Sequence, residues 1–494
     1  MKTFNDYIKC LAVVEERGDV NPPVAGISFD SRKAAADLIF VAIRGWKTDG
    51  HLYIPAAVEA GCKMIVCEEL PAELREGVRY IRVADSSEAL AKLAAEHYNH
   101  PTRELKVVGV TGTNGKTTVA TLLYKLAGYL GYRAGLCSTV ANYIGDTKLD
   151  TTHTTPDALT LQALMRKMAD EGCDYCFMEV SSHSVVQKRI AEIDFKGGIF
   201  TNITHDHLDY HITFDAYLKA KKGFFDGLGK QAFALVNADD RNGDVMVQNC
   251  SARKRSYSLR SMADFRVKVV ESLFEGMHLE LNGKELWTPF IGRFNASNLA
   301  AVYGAAVMLG WNENEVLTAM STLRPVDGRF ETIRSSEGVT AVVDYAHTPD
   351  ALQNVIEAIN EIRGTDNNLI TVVGAGGDRD ATKRPVMAAE AVKGSTKVIL
   401  TSDNPRSEDP DKIIEQMMAG VAFADRSKVL CITNRREAIR TACSIAQKGD
   451  VVLVAGKGHE TYQEIQGIRY DFDDHLVARS ALENIPSYKD EDEL

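Results

Sequence analysis

The segment at residues 107–118, VVGVTGTNGKTT, limits the possible folds of this chain more than any other stretch. An apolar run ends there in a glycine-rich turn, and apolar side chains recur after it at helical spacing. Strand, glycine turn and helix form a phosphate-binding geometry, because glycines admit backbone N–H groups to phosphate oxygens and a helix N-terminus attracts anions. Lys116 can then reach the terminal phosphates, and a hydroxyl of Thr117 or Thr118 can bind Mg²⁺. The strict pattern has glycine in place of Val110, so an ordinary glycine-rich turn is the alternative interpretation.

Length, charge and cysteine content exclude several classes of protein. A chain of 494 residues is too long for one core and predicts two to four domains. The formal net charge of −11 argues against a general nucleic-acid-binding protein. The charged N-terminal segment does not resemble a signal peptide, and no apolar run is long enough to span a membrane. The nine scattered cysteines favour free thiols in a reducing cytoplasm, and we interpret the pair Cys173 and Cys176 as core residues entering a strand.

Three α/β units follow one another along the chain. The first, residues 1–102, alternates short strands with a helix near residues 54–60. The second, residues 103–330, begins at the phosphate loop and contains a β meander between residues 250 and 290. The third, residues 331–494, repeats the alternation of strand and helix. We therefore predict an α/β protein of three domains: a smaller N-terminal α/β domain, a central parallel sheet like that of P-loop ATPases, and a C-terminal Rossmann-like sheet.

Polar residues follow several apolar runs of the second unit. The runs at residues 175–178, 198–200 and 233–236 each lead into a polar segment, and two of these segments contain Glu179 and His207. The ends of parallel strands meet at one edge of an open sheet, so we expect Glu179 and His207 to lie beside the phosphate loop. Their oxygen and nitrogen atoms suit a hard cation that also contacts phosphate, although each alone could be an ordinary surface or helix-start residue.

Other polar residues permit two interpretations. Lys221 and Lys222 lie on a lysine-rich helix face of the kind that is usually exposed to solvent, and spacing distinguishes neither of them. Asn295 can contact an adenine edge or cap a helix. The polar cluster around Ser31 and Lys47 is, from this stretch alone, more typical of a turn with solvated charges.

Four strand ends of the third unit carry Gly, Asp, Arg and His residues, which predicts a second binding edge. They lie at residues 344–349, 374–380, 401–406 and 455–460. The GAGG sequence of the second one lacks the spacing G-x-G-x-x-G, so we do not expect a dinucleotide site there. Residues 324–331, between the second and third units, are a plausible hinge.

Nine motifs, in order along the chain, resemble those of the Mur ligase family. They are TGTNGKTT (111–118), MEVSSH (178–183), TNITHDHLDYH (201–211), GRFNASN (292–298), GRFE (328–331), DYAHTPD (344–350), GAGGDRDATKRP (374–385), DNPRSEDP (403–410) and GKGHE (456–460). The resemblance covers essentially all three units, and within the family it is to the ligases that add the third residue of the peptidoglycan stem peptide. It implies an ATP-dependent amide ligase whose units bind, in chain order, the UDP end of the acceptor, ATP and the incoming amino acid.

The resemblance also implies roles for individual residues. The catalytic residues would be Lys116, Glu179, His207 and Lys221. ATP would contact Gly112, Thr113, Asn114, Gly115, Lys116, Thr117, Thr118, Asn295, Arg329, Asp344 and His347. Mg²⁺ would be held by Thr117, Glu179, His207 and Lys221, the last as a carbamate formed with CO₂, with Lys222 the less favoured register. The UDP-sugar dipeptide would contact Phe29, Ser31, Trp46, Lys47, Thr48, His153, Thr154, Thr155, Ser181, Gln187 and Arg189. The amino acid would contact Arg379, Asp403, Asn404, Pro405, Arg406, Gly456 and Glu460.

Arg406 is expected to select the amino acid. In this family the sequence Asp-Asn-Pro-Arg accompanies meso-diaminopimelate, whose far carboxylate can pair bidentately with a guanidinium. L-Lysine lacks that carboxylate and is the alternative substrate. Further alternatives are a ligase of the same plan acting on another substrate, such as a folate, and a nucleotide-gated binding protein. The expected protein is a monomeric cytoplasmic enzyme acting on UDP-N-acetylmuramoyl-L-Ala-D-Glu, ATP and meso-diaminopimelate, with Mg²⁺ and with no nucleic-acid or membrane partner.

Overall fold

The structure is a computed structural model that describes residues 2–45, 48–149, 154–204, 206 and 208–483. Within these ranges the strands form three large sheets, of five, eleven and six strands in chain order, and a separate two-stranded hairpin. Across the same residues, no helix combines the length and the apolar sequence that crossing a bilayer requires.

The first sheet is small and mostly parallel. Its strands and helices are α1 (Phe4–Ile8), β1 (Val13–Arg17), β2 (Gly26–Ser28), β3 (Leu38–Val41), α2 (Ile54–Glu59), β4 (Met64–Cys67), β5 (Arg79–Val83) and α3 (Ser86–His97). The strand order is β1-β5-β4-β3-β2, and only β1 pairs antiparallel. Every residue of β4 is buried, as expected of a parallel strand covered on both faces. Helix α2 confirms the helix predicted near residues 54–60.

The second sheet is built around the strand that leads into the phosphate loop. Its elements are β6 (Lys106–Thr111), α4 (Lys116–Tyr129), β7 (Ala134–Cys137), β8 (Asn142–Ile144), β9 (Thr147–Leu149), α5 (Ala158–Asp170), β10 (Tyr175–Glu179), α6 (Ser182–Val186), β11 (Phe195–Phe200), α7 (Leu208–His211), α8 (Phe214–Asp226), β12 (Phe233–Asn237), α9 (Gly243–Met246), β13 (Arg253–Ser258), β14 (Phe265–Leu273), β15 (Gly276–Leu281), β16 (Lys284–Thr288), α10 (Arg293–Met308) and α11 (Glu313–Thr322). The order is β16-β15-β14-β13-β12-β11-β6-β10-β7-β8-β9, so β6 lies between β10 and β11.

The predicted parallel character holds for the middle of this sheet but not for its edges. The seven middle strands, in the spatial order β14-β13-β12-β11-β6-β10-β7, pair parallel to one another. The pairs β14-β15 and β15-β16 at one edge, and β7-β8 and β8-β9 at the other, are antiparallel. The meander β14–β16 was predicted, but β8 and β9 were not, because strands of three residues carry too little periodicity to be recognised. Cys173 and Cys176 are buried at the entry and in the body of β10, which confirms their interpretation as core residues.

The third sheet has the predicted Rossmann-like pattern. Its elements are β17 (Glu331–Arg334), β18 (Thr340–Asp344), α12 (Pro349–Ile362), β19 (Leu369–Ala375), α13 (Lys383–Gly394), β20 (Lys397–Ser402), α14 (Pro410–Met418), β21 (Val429–Cys431), α15 (Arg435–Ile445), β22 (Val451–Ala455), β23 (Tyr462–Ile465), β24 (Ile468–Asp471) and α16 (Asp474–Glu483). The order is β17-β18-β22-β19-β20-β21, parallel except for β17, and β23 and β24 form the separate hairpin. The carboxyl ends of β18, β19, β20 and β22 therefore share one edge.

Several contacts join the three units. Helix α3 of the first unit packs on α5 of the second, and α12 of the third unit packs against β14. Two exposed ion pairs, Arg293 with Glu361 at 3.1 Å and Arg334 with Glu275 at 3.0 Å, also connect the second and third units. The sheets are consistent with three domains, and the boundaries at residues 102/103 and 330/331 stay predictions.

Candidate active site

The phosphate loop connects β6 to α4 through two glycines that no other residue can replace without strain. Gly112 and Gly115 have φ values of +155° and +88°. A Cβ atom would lie 1.9 Å from Thr201 Oγ1 at Gly112 and 2.5 Å from Asn298 Oδ1 at Gly115. The loop is therefore held tightly between the end of β11 and the first turns of α10.

Thr201 and Asn202, which follow β11, fix the conformation of this loop. The N–H of Thr113 donates to the carbonyl of Asn202 at 2.8 Å, and the N–H of Asn114 donates to Asn202 Oδ1 at 2.9 Å. Thr201 Oγ1 donates to the carbonyl of Asn114 at 2.6 Å. Two neighbouring strand ends thus hold the loop, because β6 and β11 are adjacent and parallel.

Lys116 is the first residue of α4 and folds back over its own loop. Its Nζ donates to the carbonyls of Gly112 at 2.9 Å and Thr113 at 2.7 Å. Burial lowers the pKa of this amine, although the carboxylates of Glu179 and Asp206 act in the opposite direction. The ammonium lies where the loop and the helix N-terminus would bind phosphate, as the motif predicts.

Glu179 ends β10 and reaches the phosphate loop from the neighbouring strand. Parallel pairing places it opposite Val110 of β6, and it is only 1% exposed. Its Oε1 accepts hydrogen bonds from Thr117 Oγ1 at 2.9 Å and from the N–H of Thr139 at 2.7 Å. The strand order thus brings together a carboxylate and a loop hydroxyl that are far apart in the sequence.

Thr117 and Glu179 offer the oxygen donors that Mg²⁺ prefers. Both side chains are buried, and their oxygens face each other. The third predicted ligand, His207, lies outside the described residues. Within the part of the chain that the structure describes, no group of three or more His, Cys, Asp or Glu side chains is placed to hold a metal. The donor chemistry fits Mg²⁺, and the full ligand set stays a prediction.

Lys221 and Lys222 leave α8 in different directions. Lys221 is 1% exposed, and its Nζ donates to the carbonyl of Gly112 at 2.7 Å. Lys222 instead pairs with Asp226 at 2.6 Å, one turn along the same helix. Burial, and after it the charge of Lys116, lowers the pKa of Lys221 well below its ordinary value. The structure therefore distinguishes two lysines that the sequence spacing could not, and it places Lys221 at the phosphate loop.

A hydrogen-bonded cluster of residues predicted to bind the acceptor lies beside Glu179. Thr155 Oγ1 donates to the carbonyl of Glu179 at 2.9 Å and accepts from the N–H of Ser181 at 3.2 Å. Arg189 donates to the carbonyl of Thr155 at 2.7 Å and to Gln187 Oε1 at 2.6 Å. The cluster is thus continuous with the phosphate loop, through Glu179.

The other residues predicted to bind the acceptor are only partly described. Thr154 accepts a hydrogen bond from Thr139 Oγ1 at 3.1 Å and so adjoins the same cluster. In the first unit, Phe29 and Ser31 follow β2, with Phe29 39% exposed, and Thr48 is exposed. Their contact with the UDP end stays a prediction. Three further residues of this set lie outside the described residues: Trp46, Lys47 and His153.

The predicted hinge has a backbone that only a glycine at position 328 permits. Gly328 and Phe330 have φ values of +65° and +50°, and a Cβ at Gly328 would lie 2.1 Å from the backbone nitrogen of His459. Asp344, at the end of β18, accepts hydrogen bonds from the N–H groups of Phe330 and Ala346, both at 2.7 Å. Burial raises the pKa of Asp344. The described contacts of Asp344 are therefore with the hinge, and its contact with ATP stays a prediction.

Arg329 of the hinge and Asp350 of the third unit both contact the segment around the phosphate loop. Arg329 Nη2 donates to Thr117 Oγ1 at 3.3 Å. Asn114 Nδ2 donates to Asp350 Oδ2 at 2.9 Å. Asp350 is not among the site residues predicted from the sequence, although it ends the motif DYAHTPD and lies in the first turn of α12. The contact of Asp350 shows that the loop and the third unit meet in this structure.

Asn295 takes part in the start of α10. Its Nδ2 donates to the carbonyl of Ile291 at 2.8 Å, its Oδ1 accepts from Asn298 Nδ2 at 3.4 Å, and the residue is 3% exposed. These contacts favour the role at the start of a helix that the sequence left open. The contact with an adenine edge stays a prediction.

His347 lies in the loop between β18 and α12, with its ring edge-on to that of Tyr345. Its Nδ1 lies 2.9 Å from the carbonyl of Tyr345, which fixes the tautomer with a proton on Nδ1. Burial, and after it the charge of Lys383, lowers its pKa from 6.5 to about 4. A His347→Gln variant removes the titrating group and carries no charge.

The low pKa of His347 predicts an acid-sensitive stability. Since the unfolded chain takes up this proton near pH 6.5 and the folded chain only near pH 4, stability from His347 is present above this range and is lost as the pH falls through it. We expect the loss of unfolding free energy between about pH 7 and about pH 5 to be about 2 kcal/mol smaller in His347→Gln than in the wild type. Urea unfolding at both pH values measures the difference, and equal losses in the two proteins would contradict it.

Most of the residues predicted to bind the amino acid meet at one edge of the third sheet. Asp403, Asn404 and Pro405 follow β20 and are buried, and Gly456 follows β22 with a φ of +122°. A Cβ at Gly456 would lie 2.7 Å from Asp403 Oδ2. Asn404 Nδ2 donates to Glu460 Oε2 at 2.8 Å. Gly456 is thus needed for the close approach of two strand-end loops.

Arg406 is held on two sides by backbone contacts. It has a φ of +51°, its N–H donates to the carbonyl of Glu464 at 3.0 Å, and its carbonyl accepts from the N–H of Gln466 at 2.7 Å. Its Nη1 donates to the carbonyl of Gly377 at 2.7 Å. The guanidinium is therefore fixed at the rim of the pocket, whereas Arg379 is exposed on a neighbouring loop.

Arg384, which the sequence analysis did not select, supports the turn that carries Arg406. It is 1% exposed and donates to both carboxylate oxygens of Glu408 at 2.8 Å, and to the carbonyl of Gly376 at 3.0 Å. Glu408 also accepts from the N–H of Asp378 at 2.6 Å. The sequence signal that could have identified Arg384 is its position in the motif GAGGDRDATKRP, which also contains the predicted site residue Arg379.

Models of one protein family match most of the chain. The matches are described as the Mur ligase family catalytic domain over residues 23–98, the Mur ligase middle domain over residues 110–306, and the Mur ligase glutamate ligase domain over residues 328–458. Among curated proteins, the UDP-N-acetylmuramoyl-L-alanyl-D-glutamate--2,6-diaminopimelate ligase of Phocaeicola vulgatus is 59% identical over 97% of this chain and 99% of its own. The protein of the same name from Clostridioides difficile is 38% identical over 97% and 99%.

Solved structures agree with these matches. A structure of a UDP-N-acetylmuramoyl-L-alanyl-D-glutamate--2,6-diaminopimelate ligase aligns with a TM-score of 0.68 and 33% identity, over 96% of this chain and 98% of that chain. The MurF ligase of Thermotoga maritima in complex with ADP aligns with a TM-score of 0.60 and 20% identity, over 87% and 93%. The second likeness shows the shared three-unit fold.

Proposed function

This chain belongs to the Mur ligase family, and we propose that it uses ATP to join meso-2,6-diaminopimelate to the D-Glu γ-carboxylate of UDP-N-acetylmuramoyl-L-alanyl-D-glutamate, a step of peptidoglycan biosynthesis. The observation that carries this proposal is a run of contacts from Glu179 and Thr117 at the phosphate loop, through Arg329 and Tyr345, to Glu460 and Asn404 of the pocket. The names of relatives at 59% and 38% identity support the same activity.

The chemistry needs an activated carboxylate, because a free carboxylate is a poor electrophile. In the proposed reaction the D-Glu γ-carboxylate attacks the γ-phosphorus of ATP, ADP leaves, and an acyl phosphate forms. The neutral amine of diaminopimelate then attacks the acyl carbon, phosphate leaves, and the nitrogen loses one proton to the phosphate or to solvent. Lys116 is placed to balance the charge that shifts between the phosphate oxygens in the first step.

Thr117 and Glu179 would hold Mg²⁺, and His207 is proposed as a further ligand. The cation would supply charge neutralisation at the phosphate oxygens. The residues of this chain do the positioning: the hydroxyl of Thr117 and the carboxylate of Glu179 face each other at 2.9 Å, directly under the helix N-terminus. Arg329, 3.3 Å from the same hydroxyl, would bring a second positive group to the site when the third unit is docked.

Selection of the amino acid would depend on Arg406. Meso-diaminopimelate carries an ammonium and a carboxylate at its far end, whereas L-lysine carries only the ammonium. Arg406 presents a fixed guanidinium to the carboxylate, and Glu460 presents a carboxylate to the ammonium. A pocket with both groups favours the zwitterionic end, because lysine would leave the guanidinium without its partner.

We further propose that Lys221 reacts with CO₂ to form a carbamate. Only a neutral amine can attack CO₂, and burial together with the charge of Lys116 favours the neutral form by lowering the pKa of Lys221. The neutral amine forms a bond to the carbon of CO₂, one C–O π bond of CO₂ opens, and the nitrogen releases one proton to solvent, which leaves an anion. Since the ammonium has already released a first proton to become the amine, the change from cation to anion releases two protons in all. An anion beside Gly112 and Lys116 would add an oxygen donor to the predicted Mg²⁺ site.

The carbamate is tested by isotope labelling. Protein equilibrated with ¹³C-bicarbonate and Mg²⁺ should show one carbamate carbon signal by NMR. Lys221→Met should lose this signal, whereas the control Lys222→Met should keep it, since Lys222 is paired with Asp226 away from the loop. A signal that survives in Lys221→Met, or no signal in the wild type, would refute the carbamate.

The activity itself is tested by phosphate release. Purified protein with Mg-ATP and UDP-N-acetylmuramoyl-L-alanyl-D-glutamate should release phosphate on addition of meso-diaminopimelate and far less on addition of L-lysine. Release with lysine alone would keep the ligase and contradict the selective role of Arg406. Release with neither amino acid would contradict the ligase and favour a protein in which ATP only changes the conformation.

We also propose that the enzyme acts as a monomer in the cytoplasm. All nine cysteines are free thiols, which supports a reducing environment. The three units, with boundaries proposed at residues 102/103 and 330/331, would bind the UDP end, ATP and the amino acid in that order.

A further inference from the structure

Lys457 is a fully buried lysine at the back of the amino-acid pocket. It lies in the loop after β22, and none of its side chain is exposed. Gly456 and Glu460, on either side of it in the sequence, are predicted to contact the amino acid, whereas Lys457 is not. A buried ammonium must find its partners inside the protein, so those partners indicate what the residue does.

The partners of Lys457 are three residues already assigned to the amino acid. Its Nζ donates to Asn404 Oδ1 at 3.0 Å and to Glu460 Oε2 at 3.0 Å, and it lies 3.6 Å from Asp403 Oδ1. Two of the three N–H groups of the ammonium are thus hydrogen-bonded, Asp403 lies at ion-pair distance, and the side chain is fully buried, so it does not face a ligand. Lys457 therefore acts through its neighbours.

We propose that Lys457 is a positioning residue that gives the pocket its selectivity for the far end of the amino acid, by orienting Asn404 and Glu460 and by neutralising one buried carboxylate. This inference rests on the proposed function, because it concerns the site that would hold diaminopimelate.

The amide of Asn404 shows how the orientation is set. Its Oδ1 accepts from Lys457 and from the N–H of Glu464 at 2.9 Å, so the oxygen must face inward. Its Nδ2 then faces the other way and donates one hydrogen to Glu460 Oε2 at 2.8 Å. The second hydrogen, for which the described residues supply no acceptor, is directed to a ligand carboxylate.

The formal charges of the pocket balance, which suits a zwitterionic end of the ligand. Asp403, Glu460 and Asp474 are acidic, and Lys457, Arg435 and Arg406 are basic. Arg435 is committed to Asp474, with both side chains fully buried and bonds of 2.8 and 2.6 Å. Without Lys457, two carboxylates would face each other in the pocket, and their repulsion would move Glu460 away from its position.

The backbone holds Lys457 in place from both sides. Gly456, with a φ of +122°, passes close to Asp403, and Gly458, with a φ of +52°, has a Cβ position 2.6 Å from the carbonyl of Gly328. Lys457 is thus fixed between the pocket and the hinge. Its ammonium cannot leave the cluster unless the loop moves.

The experiment compares Lys457→Met with the wild type in the phosphate-release assay, with the KM of each substrate measured separately. We expect the KM for meso-diaminopimelate to rise about tenfold or more, and the KM values for ATP and the UDP-linked acceptor to change less than about twofold. Lys393→Met is the control, because Lys393 is an exposed lysine of the same unit, 3.8 Å from Glu390. It should match the wild type in all three constants.

A double variant separates positioning from general stability. Because Lys457 is expected to act partly through Glu460, the loss of diaminopimelate binding in Lys457→Met combined with Glu460→Gln should be clearly smaller than the sum of the two single losses. Additive losses, or an equal rise in all three KM values, would overturn the proposal. If Lys457→Met does not fold, Lys457→Gln is judged by the same criteria. If the wild-type protein released no phosphate in response to diaminopimelate, the proposed function itself would be refuted. The wild-type measurement therefore distinguishes that failure from a failure of the Lys457 proposal.

Discussion

Lys116→Met is expected to lower kcat for phosphate release by about 10³-fold, the upper part of the range for loss of one preorganised charge-stabilising group. The ammonium lies over the loop, bonded to Gly112 and Thr113, where the charge of a transferring phosphoryl group would develop. Methionine has a similar length and no charge. The effect should therefore appear mainly in kcat, with a smaller rise in the KM for ATP.

The same variant should keep or gain stability. Burial lowers the pKa of Lys116, which means that the charged form is disfavoured in the folded protein. Removing the charge therefore should not lower the melting temperature. Lys125→Met, on the same helix α4, is the control and should retain wild-type kcat. A large loss of melting temperature in Lys116→Met, or near-normal kcat, would contradict the assigned role.

Arg406→Ala is expected to raise the KM for meso-diaminopimelate by about 10²-fold, because a charge-assisted bidentate pair is lost at the pocket rim. L-Lysine has no carboxylate at that end, so the much slower phosphate release that it supports should change little in the variant. The preference for diaminopimelate over lysine should therefore fall by about the same 10²-fold. Steady-state phosphate release with each amino acid measures both numbers.

Arg469→Ala is the matched control for Arg406. Arg469 is an exposed arginine of the hairpin β23–β24, 3.8 Å from Glu464, and so lies near the pocket without entering it. Its removal should leave both amino acids unaffected. If Arg406→Ala weakened diaminopimelate and lysine equally, Arg406 would support the turn and would not select the substrate.

The sequence predicted those parts of the site that depend on local pattern and on the logic of parallel sheets. The loop around Gly115 and Lys116 has a local signature, and Glu179 was placed correctly because neighbouring parallel strands end at one edge. Spacing alone could not separate Lys221 from Lys222, because which face of α8 is buried depends on packing against the loop.

The groups that were missed are those whose role depends on contacts between distant segments. Asp350 meets Asn114 across 236 positions of sequence, and Lys457 meets Asn404 across 53. The sequence around Asp350 and around Lys457 does not indicate which distant residue each side chain contacts. The three-residue strands β8 and β9 were missed for a different reason, since their pairing is stabilised by the sheet to which they add.

The position of the Thr117 hydroxyl has a consequence for how the nucleotide and the amino acid affect each other's binding. It donates to Glu179 at the nucleotide site and accepts from Arg329 at the hinge, so one small group belongs to both regions. If the nucleotide stabilises the docked position of the third unit, and the amino acid binds that position more tightly, then the nucleotide strengthens the binding of the amino acid. Thermodynamic linkage makes the coupling reciprocal, so the amino acid must strengthen nucleotide binding by the same factor.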